Sequence, residues 1–304
     1  MKNDLLSIQL LSKAQIQEIF SLSREIKKTP KKFRRSLEGK TLALIFEKPS
    51  NRTYVSFSVG MYQLGGNSIY LGPEQIKLGV RETIHDVAKT LSRYVDAIVL
   101  RTFAHENVLG MAKYAGVPVI NGLSDFSHPC QALADTFTIL EKFGKFKGLT
   151  MAYIGDGNNV CNSLLFISEK LGINFNVATP AGYEPDAETF KSVSASAGKA
   201  GIKIRLFNNP EEAVKGADVI YTDVWASMGQ EKEAEKRREA FKNFQVTAKL
   251  VSLANKDCLV MHCLPAHRGE EISDDAIDGE HSVVFDQAEN RLHVQKAILV
   301  KLLK

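Results

Sequence analysis

The stretch "TLALIFEKPSNRTYVSF" (Thr41–Phe57) passes from a continuous apolar run to a different periodicity within a short span. Thr41–Phe46 is apolar and unbroken, which is typical of a strand buried on both faces of a parallel sheet. The apolar residues that follow recur at helical spacing and end at a glycine pair, which is a common helix stop. They are Tyr54, Phe57, Met61 and Leu64, followed by Gly65 and Gly66. The pattern predicts a strand that leads directly into a helix.

The residues between strand and helix, Ser50–Thr53, carry two hydroxyls, an amide and a guanidinium in consecutive positions. The first turn of a helix has unpaired backbone N–H groups and the positive end of the helix dipole. Hydroxyls and an arginine added there make an anion site that suits a phosphate group. An ordinary N-cap by Ser50 is the alternative reading of this segment.

The same alternation of short apolar runs and helical patterns continues along the chain, which is typical of parallel sheets covered by helices. The predicted strands are Thr41–Phe46, Ser68–Leu71, Ala97–Leu100, Val117–Ile120, Thr150–Ile154, Asn174–Ala178, Lys203–Phe207, Asp218–Thr222, Leu259–His262 and Ser282–Phe285. We therefore predict an α/β protein with two doubly wound parallel-sheet domains. The polar, glycine-containing stretch 141–148 suggests domains at 1–143 and 144–286, with a last helix (about Gln287–Leu302) packing back on the first domain.

Composition excludes several classes of protein. The 304 residues are 44% hydrophobic and 24% charged with a net charge of +4, as expected of a soluble globular chain. The basic run Lys27–Arg35 lacks interleaved aromatic residues, so we interpret it as a solvated surface and predict no nucleic-acid partner. No apolar run approaches the roughly 18 residues that a membrane span requires. Irregular cysteine spacing and the absence of a signal-peptide pattern predict a cytoplasmic protein with reduced thiols.

Polar residues follow the predicted strands at the edge where ligands bind in open parallel sheets. Arg101 follows Ala97–Leu100, and Asp223 follows Asp218–Thr222. His128 and Gln131 flank Pro129, a residue favoured at the first position of a helix. Taken alone, Arg101 has the alternative interpretation of a surface charge, and His128 that of a structural helix cap.

The segment "GDGNNVCNSL" (155–164) resembles the start of a dinucleotide-binding loop. Val160 stands where the third glycine would be, and the next strand has no terminal acidic residue for a ribose. An NAD-dependent dehydrogenase is therefore the weaker reading, and the side-chain amides of Asn158 and Asn159 become the groups of interest.

The segment "HCLPAHRGEE" (262–271) invites a zinc interpretation together with Cys258. Strand alternation predicts that His262 and Cys263 point to opposite faces. No pair among these residues has a familiar zinc spacing. We therefore predict no metal, and interpret Cys263 as a substrate contact rather than a core thiol.

Five segments, in this order, closely resemble the motif set of the ornithine carbamoyltransferases: "KPSNRT", "HPCQALAD", "GDGNN", "DVWASMGQE" and "HCLPAHRG". The resemblance continues to "NRLHVQKAIL" near the C-terminus and so covers nearly the whole chain. It implies transfer of a carbamoyl group from carbamoyl phosphate to L-ornithine in a cleft between the two domains, with putrescine or acetylornithine as alternative acceptors. It also implies a homotrimer and no cofactor. A non-catalytic regulatory paralogue is a further alternative, which the intact motif residues argue against.

The resemblance also implies roles for individual residues. Residues implied for carbamoyl phosphate are Ser50, Asn51, Arg52, Thr53, Lys77, Arg101, His128, Gln131, Cys263, Leu264 and Arg291. Residues implied for ornithine are Asn159, Asp223, Ser227 and Met228. Those implied for catalysis are Arg101, His128, Gln131, Asp223 and Cys263, with the first three holding the carbamoyl oxygen as charge develops on it. A cis peptide at Leu264–Pro265 is implied as well.

Two segments depart from the family pattern, at three positions. Asn51 and Tyr54 replace a threonine and an arginine of the usual phosphate motif, and Lys77 replaces a glutamine in "IKLG" (76–79). In the family, the loop that carries this position reaches the site of a neighbouring subunit. Lys77 is therefore predicted to supply positive charge that Tyr54 no longer provides.

Overall fold

The computed structural model describes residues 4–226 and 233–304. The chain divides into two compact units: a first unit of residues 1–137 and 289–304, and a second unit of residues 138–288. The chain passes from one unit to the other within a helix on both occasions, at Pro129–Phe143 and at Val284–Leu303. Within the described ranges, every helix is too short or too polar to cross a membrane.

The first unit contains a four-stranded sheet and the helices that join its strands. Its strands are β1 (Thr41–Phe46), β2 (Asn67–Leu71), β3 (Ala97–Arg101) and β4 (Val119–Leu123). Its helices are α1 (Lys13–Lys28), α2 (Asn51–Gln63), α3 (Pro73–Ile76), α4 (Ile84–Leu91), α5 (His105–Tyr114) and α6 (Pro129–Phe143), with 3₁₀ turns at Ile8–Leu10 and Pro30–Phe33.

The first sheet is parallel throughout, with the order β2-β1-β3-β4. The chain moves outward from β1 to β2 and then returns to place β3 on the other side of β1. This reversal makes the carboxyl ends of β1 and β3 the switch point, where open α/β sheets bind ligands. Phe46 and Arg101 are paired across these two strands at that edge.

The second unit contains a five-stranded sheet. Its strands are β5 (Thr150–Ile154), β6 (Asn174–Ala178), β7 (Ile204–Phe207), β8 (Val219–Thr222) and β9 (Leu259–His262). Its helices are α7 (Asn159–Leu171), α8 (Ala187–Lys199), α9 (Pro210–Val214), α10 (Ala234–Phe241), α11 (Ala248–Val251), α12 (Asp274–Ile277) and the start of α13 (Val284–Leu303).

The second sheet is also parallel, with the order β7-β6-β5-β8-β9. Its strand order reverses between β5 and β8, so the carboxyl ends of these strands form its switch point. Ile154 and Thr222 are paired there. The prediction of two parallel α/β sheets is therefore confirmed.

The predicted strand at Ser282–Phe285 is wrong. Ser282 forms an isolated parallel bridge with Val260, and helix α13 already begins at Val284. Two adjacent valines supplied the β propensity, but propensity over so short a run yields to tertiary context. The last helix consequently begins three residues before the predicted Gln287, and β4 begins at Val119 instead of Val117.

Candidate functional site

The candidate site of the first unit begins at the N-terminus of α2. Ser50 has an extended backbone and caps the helix, its hydroxyl accepting a hydrogen bond from the Thr53 backbone N–H at 3.3 Å. Thr53 is fully buried, and its Oγ1 accepts a hydrogen bond from Arg291 Nη2 at 2.7 Å. The predicted N-cap at Ser50 is confirmed, and the cap does not exclude anion binding, because the helix still presents other N–H groups.

Arg291 joins this helix end to α6. Its Nη1 donates to Gln131 Oε1 at 3.0 Å, and Gln131 Nε2 donates to Asp135 Oδ1 at 2.8 Å. All three side chains are almost fully buried. Parts of the chain that are far apart in sequence thus meet in one hydrogen-bond network, and Asp135 is a member that the sequence motifs did not single out.

His128 lies immediately before α6 and is 4% exposed. Burial, and then the charges of Arg291, Arg101 and Arg52, hold the pKa of His128 well below its usual range. A neutral imidazole therefore lies within the electrostatic influence of three guanidinium groups. Arg101, the last residue of β3, is also buried, whereas Arg52 is partly exposed. Three cations around a neutral histidine form an environment that suits a multiply charged anion.

Lys48 is a buried cation that the sequence analysis did not select. Its ammonium lies 2.5 Å from Asp125 Oδ1 and 4.3 Å from the centre of the Phe103 ring. Asp125 belongs to the loop that leads to His128. A signal was available, since a lysine directly after a buried strand and before a helix N-terminus is placed where ligands bind.

Two residues predicted for carbamoyl phosphate are exposed in this unit. Asn51, the first residue of α2, is exposed. Lys77 has a left-handed backbone (φ 41°), and its ammonium lies 3.8 Å from a carboxylate oxygen of Glu74. Lys77 therefore stands on the surface of the first unit.

The candidate site of the second unit is centred on Asp223, which follows β8 and is 6% exposed. Its Oδ2 accepts from Asn158 Nδ2 at 2.9 Å, while its Oδ1 accepts from the Val224 N–H at 2.8 Å. Cys263 Sγ donates to the same Oδ1 at 2.9 Å. Ends of β5, β8 and β9 therefore converge on one carboxylate.

Asn158 orients this carboxylate from the N-terminus of α7. Its side-chain oxygen caps the helix by accepting from the backbone N–H groups of Val160 and Cys161, at 2.9 and 3.2 Å. The Tyr153 hydroxyl donates to the same oxygen at 3.2 Å. Asn159, the residue predicted for ornithine, is the next residue and is also buried.

Asp156 was missed by the sequence analysis because it lies inside the segment that resembles a dinucleotide-binding loop. It is 7% exposed, and its Oδ2 lies 3.0 Å from Arg237 Nη1. Burial raises the pKa of Asp156 to about 6, with Arg237 opposing and Asp223 and Glu233 adding to the rise. A buried carboxyl group whose pKa is raised towards neutral pH, partly by the charge of Asp223, is typical of functional sites.

Arg237 is a buried cation on the otherwise largely exposed helix α10, and the sequence analysis did not select it. It is 7% exposed and also donates from Nη1 to the Trp225 carbonyl at 2.8 Å and from Nε to Glu233 Oε2 at 3.3 Å. Its guanidinium lies 5.0 Å from the Tyr183 ring centre. Phe241, four residues later and fully buried, would have indicated the inward face of this helix.

The surroundings of Gly157 argue against a dinucleotide-binding loop at residues 155–164. A Cβ atom at this position would lie 2.2 Å from Pro185 N and 2.4 Å from Glu184 C, so no side chain fits there. The glycine is therefore required by the protein's own backbone. In a dinucleotide-binding loop, the glycines instead leave space for a pyrophosphate.

The argument from strand alternation at the end of β9 is wrong. Strand β9 ends at His262, so the following residues are released from the alternation rule, and Leu264 has φ of 58°. One ligand atom each of Asp223, His262 and Cys263 lies within 4.8 Å of the others. Both ring nitrogens of His262 are already engaged, with Glu271 Oε1 at 3.0 Å and with the Leu264 N–H at 2.8 Å. The implied cis peptide at Leu264–Pro265 is confirmed. Ser227 and Met228 lie outside the described residues.

Comparisons with known proteins match both units. Residues 3–141 match the family model of the aspartate/ornithine carbamoyltransferase carbamoyl-P binding domain, and residues 147–302 match that of the Asp/Orn binding domain. A protein of Thermococcus kodakarensis described as ornithine carbamoyltransferase is 57% identical over 298 residues, 97% of this chain and 95% of that protein. A protein of Pyrococcus furiosus described as "ornithine carbamoyltransferase, anabolic" is 56% identical over 298 residues, again with 97% and 95% coverage.

Solved structures show the same similarity. The ornithine carbamoyltransferase from Pyrococcus furiosus superimposes with a TM-score of 0.96 at 55% identity, covering 99% of this chain and 97% of the other. The ornithine carbamoyltransferase from Thermus thermophilus gives a TM-score of 0.90 at 44% identity, with 100% of both chains covered.

Proposed function

Because the chain belongs to the aspartate/ornithine carbamoyltransferase family, we propose that it transfers the carbamoyl group of carbamoyl phosphate to the δ-amine of L-ornithine. The products are L-citrulline and phosphate. The observation that carries the proposal in the structure is the group of three arginines, Arg52, Arg101 and Arg291, around the neutral His128. Relatives that are more than half identical over nearly the whole chain support ornithine as the acceptor.

We assign carbamoyl phosphate to the first unit. The N–H groups of the capped helix α2 and the side chain of Arg52 would bind the phosphate, and Arg291 would bind it from α13. Arg101, His128 and Gln131 would donate to the carbamoyl oxygen as negative charge develops there. The low pKa of His128 supports a neutral hydrogen-bonding role, because burial disfavours a charged ring and the charges of three arginines add to that effect.

We assign ornithine to the second unit, at the buried carboxylate of Asp223. A carboxylate that is held by Asn158, Val224 and Cys263 has limited freedom to turn, which suits it to bind the α-ammonium group in one position. Asn159, Ser227 and Met228 would contact the rest of the amino-acid head group. Cys263 and Leu264 would contact the reacting δ-amine and the carbamoyl group.

The reaction needs little beyond this arrangement. A neutral amine attacks the carbamoyl carbon, the carbon–oxygen bond to phosphate breaks, and the amine loses a proton. Positioning the two substrates and stabilising the charge on the oxyanion and the leaving phosphate supply the acceleration. The scheme uses no cofactor, and it involves no covalent intermediate with the protein.

A panel of amines tests the acceptor. Citrulline formation should far exceed the carbamoylation of putrescine or N-acetylornithine, because putrescine has no α-carboxylate and acetylation removes the charge that Asp223 would bind. Asp223→Asn is the matched variant, since it keeps the size of the side chain and should raise the KM for ornithine selectively. Equal rates with ornithine and putrescine would exclude the assignment.

Three further properties belong to the same proposal. A homotrimer is expected from the family, and light scattering on the purified chain would measure its mass. A biosynthetic direction, towards arginine, is supported by the description of the Pyrococcus furiosus relative as anabolic. A cytoplasmic location agrees with the four cysteines, all of which are free.

A further inference from the structure

The turn that follows the "HCLP" segment brings a histidine and two carboxylates together on the second unit. His267 Nδ1 lies 3.9 Å from Glu270 Oε2 and 3.9 Å from Glu271 Oε2. One ligand atom from each of the three side chains lies within 4.8 Å of the others. None of these residues has a role in the proposed reaction.

Glu271 supplies an independent observation, because its carboxylate is only half satisfied. The side chain is 0% exposed, and its Oε1 accepts from His262 Nε2 at 3.0 Å and from the His267 N–H at 2.6 Å. Its Oε2 has no hydrogen-bond donor among the residues that the structure describes. A buried carboxylate oxygen without a donor is costly, so a missing partner is expected at this atom.

We propose that His267, Glu270 and Glu271 form a binding site for a divalent cation. Two ligand atoms of a tetrahedral Zn²⁺ with bonds of about 2.0–2.2 Å are roughly 3.3–3.6 Å apart. The separations of 3.9 Å from His267 Nδ1 to the two carboxylate oxygens exceed that distance by only a few tenths of an ångström, which small side-chain rotations can close. The imidazole ligand favours Zn²⁺ or Co²⁺ over Mg²⁺ and Ca²⁺, which prefer oxygen alone. The His267 side chain is 52% exposed, so water can complete the coordination.

The surroundings of Glu271 match those of a metal ligand. Two donors on Oε1 fix the orientation of the carboxylate and direct Oε2 towards His267, as outer hydrogen bonds commonly do for ligands. A direct ion pair with a protonated His267 is the competing explanation for the cluster. The separation of 3.9 Å exceeds the length of a hydrogen bond, which favours an intervening ion over that pair.

Arg238 is the group that opposes the site. Its Nε donates to Glu270 Oε1 at 2.9 Å, which leaves Oε2 for the cation but places a positive charge nearby. The neighbouring Arg268 is occupied by Asp274 and Asp278, at 2.7 Å and 2.5 Å. Removing Arg238 should therefore strengthen the binding of a cation, while removing His267 should weaken it.

The experiment titrates Co²⁺ and Zn²⁺ into the metal-stripped full chain and follows heat and visible absorbance. One equivalent should bind the wild-type protein, and the affinity should fall at least about tenfold in His267→Ala, which removes one of three ligands. Arg238→Ala should bind several-fold more tightly. His85→Ala is the matched control, because His85 is an equally exposed histidine beside a single carboxylate, Asp86.

Cys263→Ser separates this site from the cluster of Asp223, His262 and Cys263. Binding to our site should persist in Cys263→Ser and should produce no thiolate-to-Co²⁺ charge-transfer band. The proposal is overturned if neither ion binds, if His267→Ala binds as tightly as the wild type, or if binding disappears in Cys263→Ser. Failure of this site would leave the citrulline assay unaffected, so the two proposals can be tested separately.

Discussion

At the switch point of the first sheet the charges of three arginines act on His128, whereas at that of the second sheet the charge of Asp223 acts on Asp156. In both regions burial is the larger influence, and it disfavours the charged forms of His128 and Asp156. The pKa of His128 falls well below its usual range, and the pKa of Asp156 rises to about 6. Burial thus lowers the pKa of a base in one unit and raises the pKa of an acid in the other.

The comparison also shows how each unit fixes its charged groups. In the first unit, Arg291 donates hydrogen bonds to the uncharged side chains of Gln131 and Thr53. In the second unit, Asp223 accepts hydrogen bonds from the uncharged side chains of Asn158 and Cys263. Uncharged side chains thus help to orient a charged group in both units.

The largest loss of catalytic activity is expected from Arg52→Ala. The variant removes a charge-assisted hydrogen bond to the phosphate, which should strengthen as the leaving group gains charge. Such a bond in a dry site is worth about 3 kcal/mol, so kcat/KM for carbamoyl phosphate should fall by about 100-fold or more. Steady-state citrulline assays measure this loss.

The control for Arg52 is Arg35→Ala, which removes an exposed arginine that pairs with Glu38 in the same unit. Its activity should equal that of the wild type. An Arg52→Ala variant that keeps more than about a tenth of the activity would contradict the assignment of the first unit to the anion.

A smaller, substrate-selective effect is expected from Arg237→Ala. This guanidinium holds Asp156, Glu233 and the carbonyl of Trp225, two residues after Asp223. Its removal should raise the KM for ornithine by about 30-fold, as a lost buried charged contact of about 2 kcal/mol predicts. The KM for carbamoyl phosphate should stay within about twofold.

Arg238→Ala is the neighbouring control, since its side chain is exposed and pairs with Glu270. Both variants are assayed in the presence of a chelator, with melting curves recorded in parallel. Arg237→Lys keeps the positive charge and should recover part of the affinity for ornithine. Equal increases in both KM values would show that Arg237 only stabilises the fold.

His128 in the first unit and Asp156 in the second should make the stability of the protein depend on pH in opposite directions. His128 has a lowered pKa in the folded state, so below about pH 6.5 the unfolded chain binds the extra proton and stability falls as pH falls. Asp156 has a raised pKa, so between about pH 4 and 6 the folded chain binds the extra proton and stability falls as pH rises. Each group contributes at most about 1.4 kcal/mol per pH unit.

Denaturant unfolding of His128→Gln and Asp156→Asn at pH 4 to 7 measures these slopes. The stability difference between wild type and His128→Gln should shrink as pH falls below 6.5. The difference between wild type and Asp156→Asn should instead shrink as pH rises from 4 to 6. Two slopes of the same sign would refute the contrast between the units.

The smallest direct effect is expected from Lys77→Ala, because Lys77 is exposed and lies beside Glu74 in its own unit. If its ammonium reaches the carbamoyl phosphate site of a neighbouring subunit, activity should fall several-fold. Mixing dissociated Lys77→Ala and Arg52→Ala subunits and reassembling them should then raise activity above that of either parent. Near-wild-type activity of Lys77→Ala alone, or no recovery on mixing, would exclude a shared site.

Local patterns in the sequence were sufficient for the elements of the fold. The continuous apolar run at Thr41–Phe46 forms a strand with the predicted bounds, and Ser50 caps the helix that follows. Strand β1 is buried on both faces, so its apolar signal is continuous and local. The exception is Ser282–Phe285, where two valines mimicked a strand that the fold reduces to one bridge.

What the sequence determined by itself was therefore the set of strands and helices, the polar residues at the strand ends and the family. The tertiary structure decided which charges are buried and what they face. Arg237 and Asp156 become a buried pair only when α10 packs beside the end of β5, and Arg291 reaches Thr53 only when α13 packs on the first unit. Burial and pKa depend on all neighbours in space, whereas periodicity depends only on neighbours in the chain.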